Sequence, residues 1–326
     1  MEALRLSLGS AAALGLCDTQ LAAQPTTVYS MVGETCAGNC LFCTQARNSS
    51  ADRRFLSRVV WPEFALPQVL AHLGRANGLA RVCVQTLNYP GLISDLLNVV
   101  AAIRAVSPLP ISVCMNPVGK AQLASLRDAG VDRVGVGLDC ATPETFQRMK
   151  PGFSWSATVR FIEETVEVFG TGSIHLIVGL GDSDEDIIAA IQRFRDEEGY
   201  VGLFAYTPMR GTQLTLTPPA VERYRALQLA RYLITTRRAR YEDMEFVNGK
   251  LTGLGAPPDE LEAAWSTGNA FRTSGCPGCN RPMYNERPGG VMYNYPGPLT
   301  SEERQAAQGD VTRYLATQEQ RCDNSA

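Results

Sequence analysis

The sequence predicts an α/β fold, a parallel (β/α) barrel of the TIM type. Three observations carry this reading. Apolar, β-branched runs alternate with amphipathic segments along most of the chain. Eight such runs are separated by seven helical stretches. The 326 residues, 45% of them hydrophobic, suffice for one large core or two modest ones. An open doubly wound sheet is the alternative arrangement of the same elements.

Residues 1–25 form an N-terminal extension. "MEALRLSLGSAAALGLC" has the outline of a signal peptide or lipoprotein leader, but Glu2 stands where a basic region would lie and bulky Leu16 precedes Cys17. It reads instead as a short N-terminal helix of a cytoplasmic protein. The barrel occupies 26–275. Its strands are expected at 26–32, 80–86, 110–115, 132–138, 172–178, 200–206, 244–249 and 269–274. Helices are expected to start near Pro62, Gly91, Gly119, Ser154, Ser183, Pro218 and Pro258, several of them at a proline or a capping residue. The run Asp182-Ser183-Asp184-Glu185 places acid where a helix dipole favours it. A C-terminal extension, 276–326, is rich in Pro, Gly and Tyr after Gly289 and ends in a short polar helix and a disordered tip.

Composition removes several function classes. Net charge is −3, and the one basic cluster, Arg237, Arg238 and Arg240, reads as the solvated end of a helix, so no nucleic-acid partner is expected. No stretch is apolar enough to span a membrane. Ten cysteines stand against two histidines, His72 and His175, so a multi-ligand site must be built mainly from thiols. Their paired spacings favour metal or catalytic work over a disulfide framework.

The sharpest motif is "TCAGNCLFCTQAR" (35–47), in which Cys36, Cys40 and Cys43 make CxxxCxxC directly after the first strand. In a barrel this is the C-terminal mouth, where active sites form. Thiolates select iron–sulfur clusters or zinc. Structural zinc would require a fourth ligand, which the loop does not offer. An iron–sulfur cluster held by three thiolates would leave one iron open to a small molecule.

The second informative stretch is "FRTSGCPGCNRPMYNERPGG" (271–290), where Cys276 and Cys279 form CPGC just beyond the last expected strand. A CxxC can be a redox pair, half of a zinc site or half of an iron–sulfur site. The polar, Pro-rich sequence after Cys279 argues against a thioredoxin-like turn, which leaves an auxiliary cluster or structural zinc. Candidate partners for this pair are Cys17, which precedes the first strand, and Cys83 and Cys114 on the second and third strands, where cysteines also occur simply as buried residues. Cys140 and Cys322 read as structural or incidental.

The three-cysteine motif, with Phe42 as the aromatic before its last cysteine, resembles the hallmark of the radical S-adenosylmethionine (SAM) superfamily. The resemblance implies a 4Fe-4S cluster on Cys36, Cys40 and Cys43, with SAM chelating the open iron. "VGVGLDCATPETF" (134–146), "LIVGLGDSDED" (176–186) and "YTPMRGTQL" (206–214) are similar, in order, to the fourth-, fifth- and sixth-strand regions of biotin synthase and its relatives. By this resemblance SAM would be held by Phe42, Gln85, Asp139, Arg160 and Gly179; Asp139 could equally be a helix-capping aspartate. Cys83 and Cys114 match two positions that hold the auxiliary cluster of biotin synthase; Ser173 stands at the third, and at the fourth, an arginine in that family, "VNGK" offers only Lys250.

"TTVYSMVGETC", "FCTQARNSS", "LSRVVWPEF", "QTLNYPG" and the CPGC tail resemble a narrower group, the two-component lipoyl synthases of archaea and some bacteria, and their second component in particular. This implies a sulfur-insertion enzyme acting on an octanoylated lipoyl-carrier protein or domain, with a second radical SAM component and an electron donor such as ferredoxin. Its catalytic sulfur would come from an auxiliary cluster, a second 4Fe-4S on Cys276, Cys279 and Cys17. Arg272-Thr273-Ser274 is similar to the Arg-x-Ser stretch of single-chain lipoyl synthases, which makes Ser274 a further candidate ligand. A biotin-synthase-like enzyme acting on a small molecule and an iron–sulfur scaffold protein are the rival readings.

Overall fold

The structure is a computed structural model that describes residues 2–286 and 289–323, the last six of these as backbone. The chain opens with strand β1 (Ala3–Leu6) and helix α1 (Leu8–Ala13), where a helix alone was expected. Ser7 ends the strand and caps the helix, its Oγ accepting from the Ser10 N–H at 3.2 Å. Next come β2 (Thr27–Val32), a hairpin of β3 (Phe55–Leu56) and β4 (Val59–Val60), β5 (Glu63–Ala65) and α2 (Leu66–Leu73). Alternation then sets in: β6 (Arg81–Thr86), α3 (Leu92–Val106), β7 (Ile111–Met115), α4 (Lys120–Asp128), β8 (Arg133–Asp139), α5 (Pro143–Met149), α6 (Trp155–Phe169), β9 (Ser173–Val178), α7 (Asp184–Asp196), β10 (Tyr200–Ala205) and α8 (Val221–Thr235). The chain closes with a hairpin of β11 (Glu245–Val247) and β12 (Lys250–Gly253), α9 (Pro258–Thr267) and α10 (Ser301–Asp323).

One sheet runs in the order β10-β9-β8-β7-β6-β2-β1-β5, parallel from β10 to β2 and antiparallel beyond it. The first six expected strands are therefore present as the parallel wall of the barrel. Alternation along these strands explains what the wall separates. Val82, Val84, Ile111, Val113, Val134 and Val136 face outward into one core with Leu96, Val100, Leu123 and Phe161 of the covering helices. Burying each such side chain contributes roughly 1.5–3 kcal/mol. The opposite positions, among them Cys83, Ser112, Cys114, Gly135 and Ser173, line an interior cavity. A filled barrel carries bulky branched residues there, so this one is hollow by composition.

The seventh and eighth expected strands do not join the sheet. Residues 244–249 contain Asn248-Gly249, both at positive φ (50° and 73°), and the chain reverses there into the β11–β12 hairpin. Asn-Gly is the residue pair a two-residue hairpin turn requires, and it overrides an extended run of three residues. At 269–274 the chain makes a 3-10 turn over Asn269–Phe271, and Arg272 then bridges to Tyr295. In place of two strands, the tail closes the open side of the barrel. Ser274 Oγ accepts from the Leu203 N–H of β10 at 2.9 Å, and Asn285 Nδ2 donates to Ala205 O at 2.8 Å. On the other side Asn280 Oδ1 accepts from the Thr26 N–H at 3.0 Å, and the Tyr29 hydroxyl accepts from the Arg281 N–H at 2.7 Å.

Helix α5 was not expected. It is a seven-residue element capped by Thr142, with Pro143 at its first position. The polar C-terminal helix is longer than expected and packs on α8 through Ala307, Val311 and Tyr314, spaced to share one face. The tip at 324–326 lies outside the described residues. No helix among the described residues is long and apolar enough to cross a membrane.

Candidate active site

The loop after β2 is held over the C-terminal ends of the strands by backbone hydrogen bonds to distant partners. The Ala37 N–H donates to Asn88 O (2.7 Å), the Leu41 N–H to Met149 O (2.9 Å), and Leu41 O accepts from the Leu214 N–H (3.0 Å). Inside the loop, Thr44 Oγ1 and Gln45 Nε2 both donate to Phe55 O at 2.6 Å, pinning it to the β3–β4 hairpin. Cys36, Cys40, Phe42 and Cys43 thereby line a chamber of about 220 Å³ together with Gln85, Asp139 and Lys150. Burial pushes the Cys40 thiol up to about 11, against the opposing pull of Lys150, and the Cys43 thiol up to about 12. Such thiols keep their protons at neutral pH unless a metal displaces them.

Asp139 ends β8 at φ 67°, just past a register shift between Gly137 and Asp139. A bulge there re-aims the carboxylate into the chamber. Its partner is Lys150, whose Nζ lies 2.9 Å from Asp139 Oδ2 and also donates to Gly137 O. Burial opposes the Lys150 charge, but Asp139 and Cys40 together outweigh it and hold the ammonium above the usual lysine range. The ring of Phe153 lies 5.4 Å from Lys150 Nζ.

Below this chamber, a second cavity is lined by Cys83, Cys114, Cys276 and Cys279. The CPGC pair of the tail thus meets the two strand cysteines in one place. Gly135 makes room between them: a Cβ there would lie 2.8 Å from Ser173 Oγ and 3.7 Å from Cys114 Sγ. Cys276 Sγ lies 3.9 Å from Ser173 Oγ, Tyr29 OH is 3.3 Å from Cys279 Sγ, and Gln85 Nε2 donates to Cys83 Sγ at 3.0 Å. Burial pushes the Cys83 thiol up to about 12 and raises Cys114 further, with His175 Nδ1 3.6 Å from Cys114 Sγ. Arg281 lines both cavities, its guanidinium 3.9 Å from the Tyr284 ring centroid and 5.4 Å from that of Phe204. Among the described residues it forms no ion pair with a carboxylate.

Three expected site residues fall elsewhere. Cys17 packs half-buried against the core and lines neither cavity, because β1 and α1 carry the N-terminus along the outside of β2. Arg160 is exposed on α6, which covers the outer face of the sheet. Gly179, at φ 107°, lies behind the chamber, where a Cβ would meet Tyr206 Cβ at 3.1 Å and Pro219 at 3.2 Å. Ser274, by contrast, lines the cavity of the four cysteines, and its Oγ also accepts from the Leu203 N–H. Lys250 begins β12, away from the cavity, whereas Arg281 of the tail, two residues past Cys279, lines it. Sequence reasoning missed Arg281, Lys150 and Tyr29. For Arg281 a signal existed in the CxxCxR spacing; Lys150 had none. Among the described residues no group of three or more His, Cys, Asp and Glu is drawn together as a ready-made single-ion site; the thiols stand round cavity walls instead.

Comparisons with known proteins agree with this fold. In fold, the chain is similar to the FeFe-hydrogenase maturase HydG from Carboxydothermus hydrogenoformans, with a TM-score of 0.54 at 14% identity, covering 65% of this chain and 51% of that one. It is likewise similar to methylornithine synthase (PylB), with a TM-score of 0.52 at 14% identity, covering 70% and 67%. In sequence, biotin synthase of Streptococcus agalactiae serotype V is 27% identical over 172 residues, 51% of this chain and 50% of that protein. Biotin synthase of Sulfurihydrogenibium sp. is 27% identical over 191 residues, 56% of each. The chain thus spans about half the length of the curated relatives it matches. The sequence model of the Radical SAM superfamily matches residues 30–194, half of the chain. The fold is a parallel barrel wall with a three-cysteine loop at its mouth. The chain belongs to the radical SAM superfamily, and that membership implies a 4Fe-4S cluster and SAM.

Proposed function

We propose that this chain is a radical SAM sulfur-insertion enzyme, a component of a two-component lipoyl synthase that places sulfur in a protein-bound octanoyl chain. The observation that carries the reading is the second thiol set: Cys83, Cys114, Cys276 and Cys279 line one cavity beneath the chamber of Cys36, Cys40 and Cys43. The two thiol sets support a reading with two clusters. Each set is thiol-rich and half-buried, and thiols spaced round a cavity wall suit a multi-iron cluster better than a single zinc ion. Cys36, Cys40 and Cys43 would hold the cluster that binds SAM, and the four others an auxiliary 4Fe-4S. When bound, the first cluster and SAM supply a carbon radical that takes hydrogen from an unactivated carbon, and the second cluster supplies sulfide.

The chain's own residues have definite tasks in this reading. Asp139 accepts hydrogen bonds from the ribose of SAM, and Lys150 holds that carboxylate in place and offsets its charge. Arg281, with no carboxylate partner among the described residues, offsets the negative charge of four thiolates. Arg281, Phe204 and His175 line both cavities and so frame the space where a substrate carbon would lie between the two clusters.

A biotin-synthase-like reaction on a free small molecule is the second reading. It is favoured by Cys83 and Cys114 standing in the cavity and by the curated relatives. The test is anaerobic reconstitution with iron, sulfide, SAM and reductant, presenting an octanoyl-lysine peptide with and without a candidate second component and reading products by mass spectrometry. Sulfur in the octanoyl chain is expected. SAM cleavage that puts sulfur only into a free small molecule would move the assignment to the second reading, and no SAM cleavage at all would leave a scaffold protein.

A further inference from the structure

On the tail's other side lies a third cavity, of about 390 Å³, within the range of small-molecule sites. Its walls come from the N-terminal segment (Leu8, Leu21, Ala23), the β3–β4 hairpin (Val59) and the tail (Met283), so it forms where the two ends of the barrel chain meet over β2. Ser7 and Glu286 also reach it, but both are engaged internally. Ser7 Oγ is 2.8 Å from Ser10 Oγ, and the Glu286 carboxylate accepts from the N–H groups of Asn285 (3.1 Å) and Asn294 (2.8 Å). The further polar contributions include Thr19, Arg58 and the exposed Gln20.

This cavity is not isolated from the chemistry. Arg281 and Tyr284 line both it and the chamber of the three cysteines, and Tyr29 and Arg281 line both it and the cavity of the four. The partition is made of these shared side chains. The chamber beyond it combines apolar walls such as Met31, Phe42 and Phe204 with the charged groups of Asp139, Lys150 and Arg281. A saturated chain has no polar handle, and apolar enclosure along its length is the only means of recognising it.

We propose that this third cavity is the acyl-chain channel. An unbranched aliphatic chain lies in it, its methyl end directed past Arg281 and Tyr284 toward the cysteine chamber, its amide linkage left at the rim where Gln20 is exposed. The inference rests on the octanoyl reading above and adds the route by which that substrate enters.

The test uses the reconstituted holoenzyme and measures equilibrium binding of lysine peptides acylated with four, six, eight or ten carbons, with free octanoate as a separate arm. Affinity should rise about fourfold per added methylene up to eight carbons, the equivalent of ~0.8 kcal/mol each. Ala23→Trp and Leu21→Trp, each filling the cavity from a different point, should weaken octanoyl-peptide binding at least tenfold. Both should leave substrate-independent formation of 5′-deoxyadenosine unchanged, which shows that the variants are folded and loaded. Parental affinity in both variants, equal binding of short and long chains, or binding of free octanoate but not of the octanoyl peptide would each overturn the channel. The readout separates the two claims. Chain-length-dependent binding lost in the variants supports the channel even where no carbon–sulfur bond forms, and sulfur insertion that proceeds unaltered in the variants refutes the channel while the function stands.

Discussion

The two thiol sets are built in opposite ways. Cys36, Cys40 and Cys43 lie within eight residues on one loop, and their spacing alone brings them together. The other four come from β6, β7 and the tail, separated by up to 196 positions, and meet only because of strand register. Cys83 pairs with Ser112, and Gln85 with Cys114, so both cysteines sit on inward-facing positions of adjacent strands. The tail then arrives from the opposite side, anchored on Thr26 and Leu203. A contiguous motif can be read without a fold, whereas an assembled one is only a set of separate candidates until the fold is known.

The sharpest way to break this comparison is to empty each set in turn. Replacing Cys36, Cys40 and Cys43 together by Ala should abolish 5′-deoxyadenosine formation, measured by liquid chromatography, while circular dichroism stays unchanged. Undiminished SAM cleavage in that variant would end the two-set account.

Emptying the second set should separate cleavage from insertion. Reconstituted protein should carry about eight irons, two clusters of the cubane type. Cys276→Ala with Cys279→Ala, and equally Cys83→Ala with Cys114→Ala, should each bring iron to about half, retain SAM cleavage and yield no carbon–sulfur bond. If only the tail pair has this effect, the strand cysteines are buried residues and the assembled site shrinks to CPGC. Zinc in the purified protein would remove the sulfur-donor role.

The Asp139–Lys150 pair offers smaller effects. Lys150→Met leaves a largely buried carboxylate unpaired, so unfolding free energy from urea titration should fall by roughly 3 kcal/mol. Asp139→Asn keeps the shape of a residue held at φ 67°, which Asn tolerates better than Ala, and removes only the charge. SAM affinity by calorimetry should fall roughly five- to tenfold, about 1 kcal/mol or more. Unchanged affinity would leave Asp139 with the bulge and the ion pair alone.

The smallest effects are expected where residues lie outside both cavities. Cys17→Ala should leave iron content at the parental value, and Arg160→Ala should leave SAM affinity unchanged, with stability shifts in both of about 0.5 kcal/mol or less. Iron lost from the Cys17 variant would return it to the auxiliary site.

Much of the architecture was legible in the chain. The six parallel strands read as apolar, β-branched runs, and helices such as α3, α4, α6, α7 and α9 begin within a residue or so of the Gly, Ser or Pro that marks them. The missing strands failed for identifiable reasons. Asn248-Gly249 is a turn signal that outweighs a short extended run, and Asn269–Phe271 curls because the chain there is turning toward the tail. Strand β1 was hidden because "ALRL" is short and compatible with either period. The hollow interior was written in the alternation itself: where Val82, Val84 and Val113 face out, Cys83, Ser112 and Cys114 face in.

The sequence by itself determined the class of chemistry, because a three-thiol loop beside an aromatic depends only on neighbours along the chain, as do strand alternation and helix caps. Tertiary structure decided the second site. Which cysteines share a cavity depends on parallel register between strands about thirty residues apart and on where a tail some 190 residues later lands. Those distances are set by packing the Val and Leu faces against the helices, a sum of many small non-directional contacts that no local motif records. Cys17 lies outside both cavities for the same reason: β1 pairs along the outer edge of β2 and carries the N-terminus away from the interior, while the tail brings Arg281 into the cavity wall.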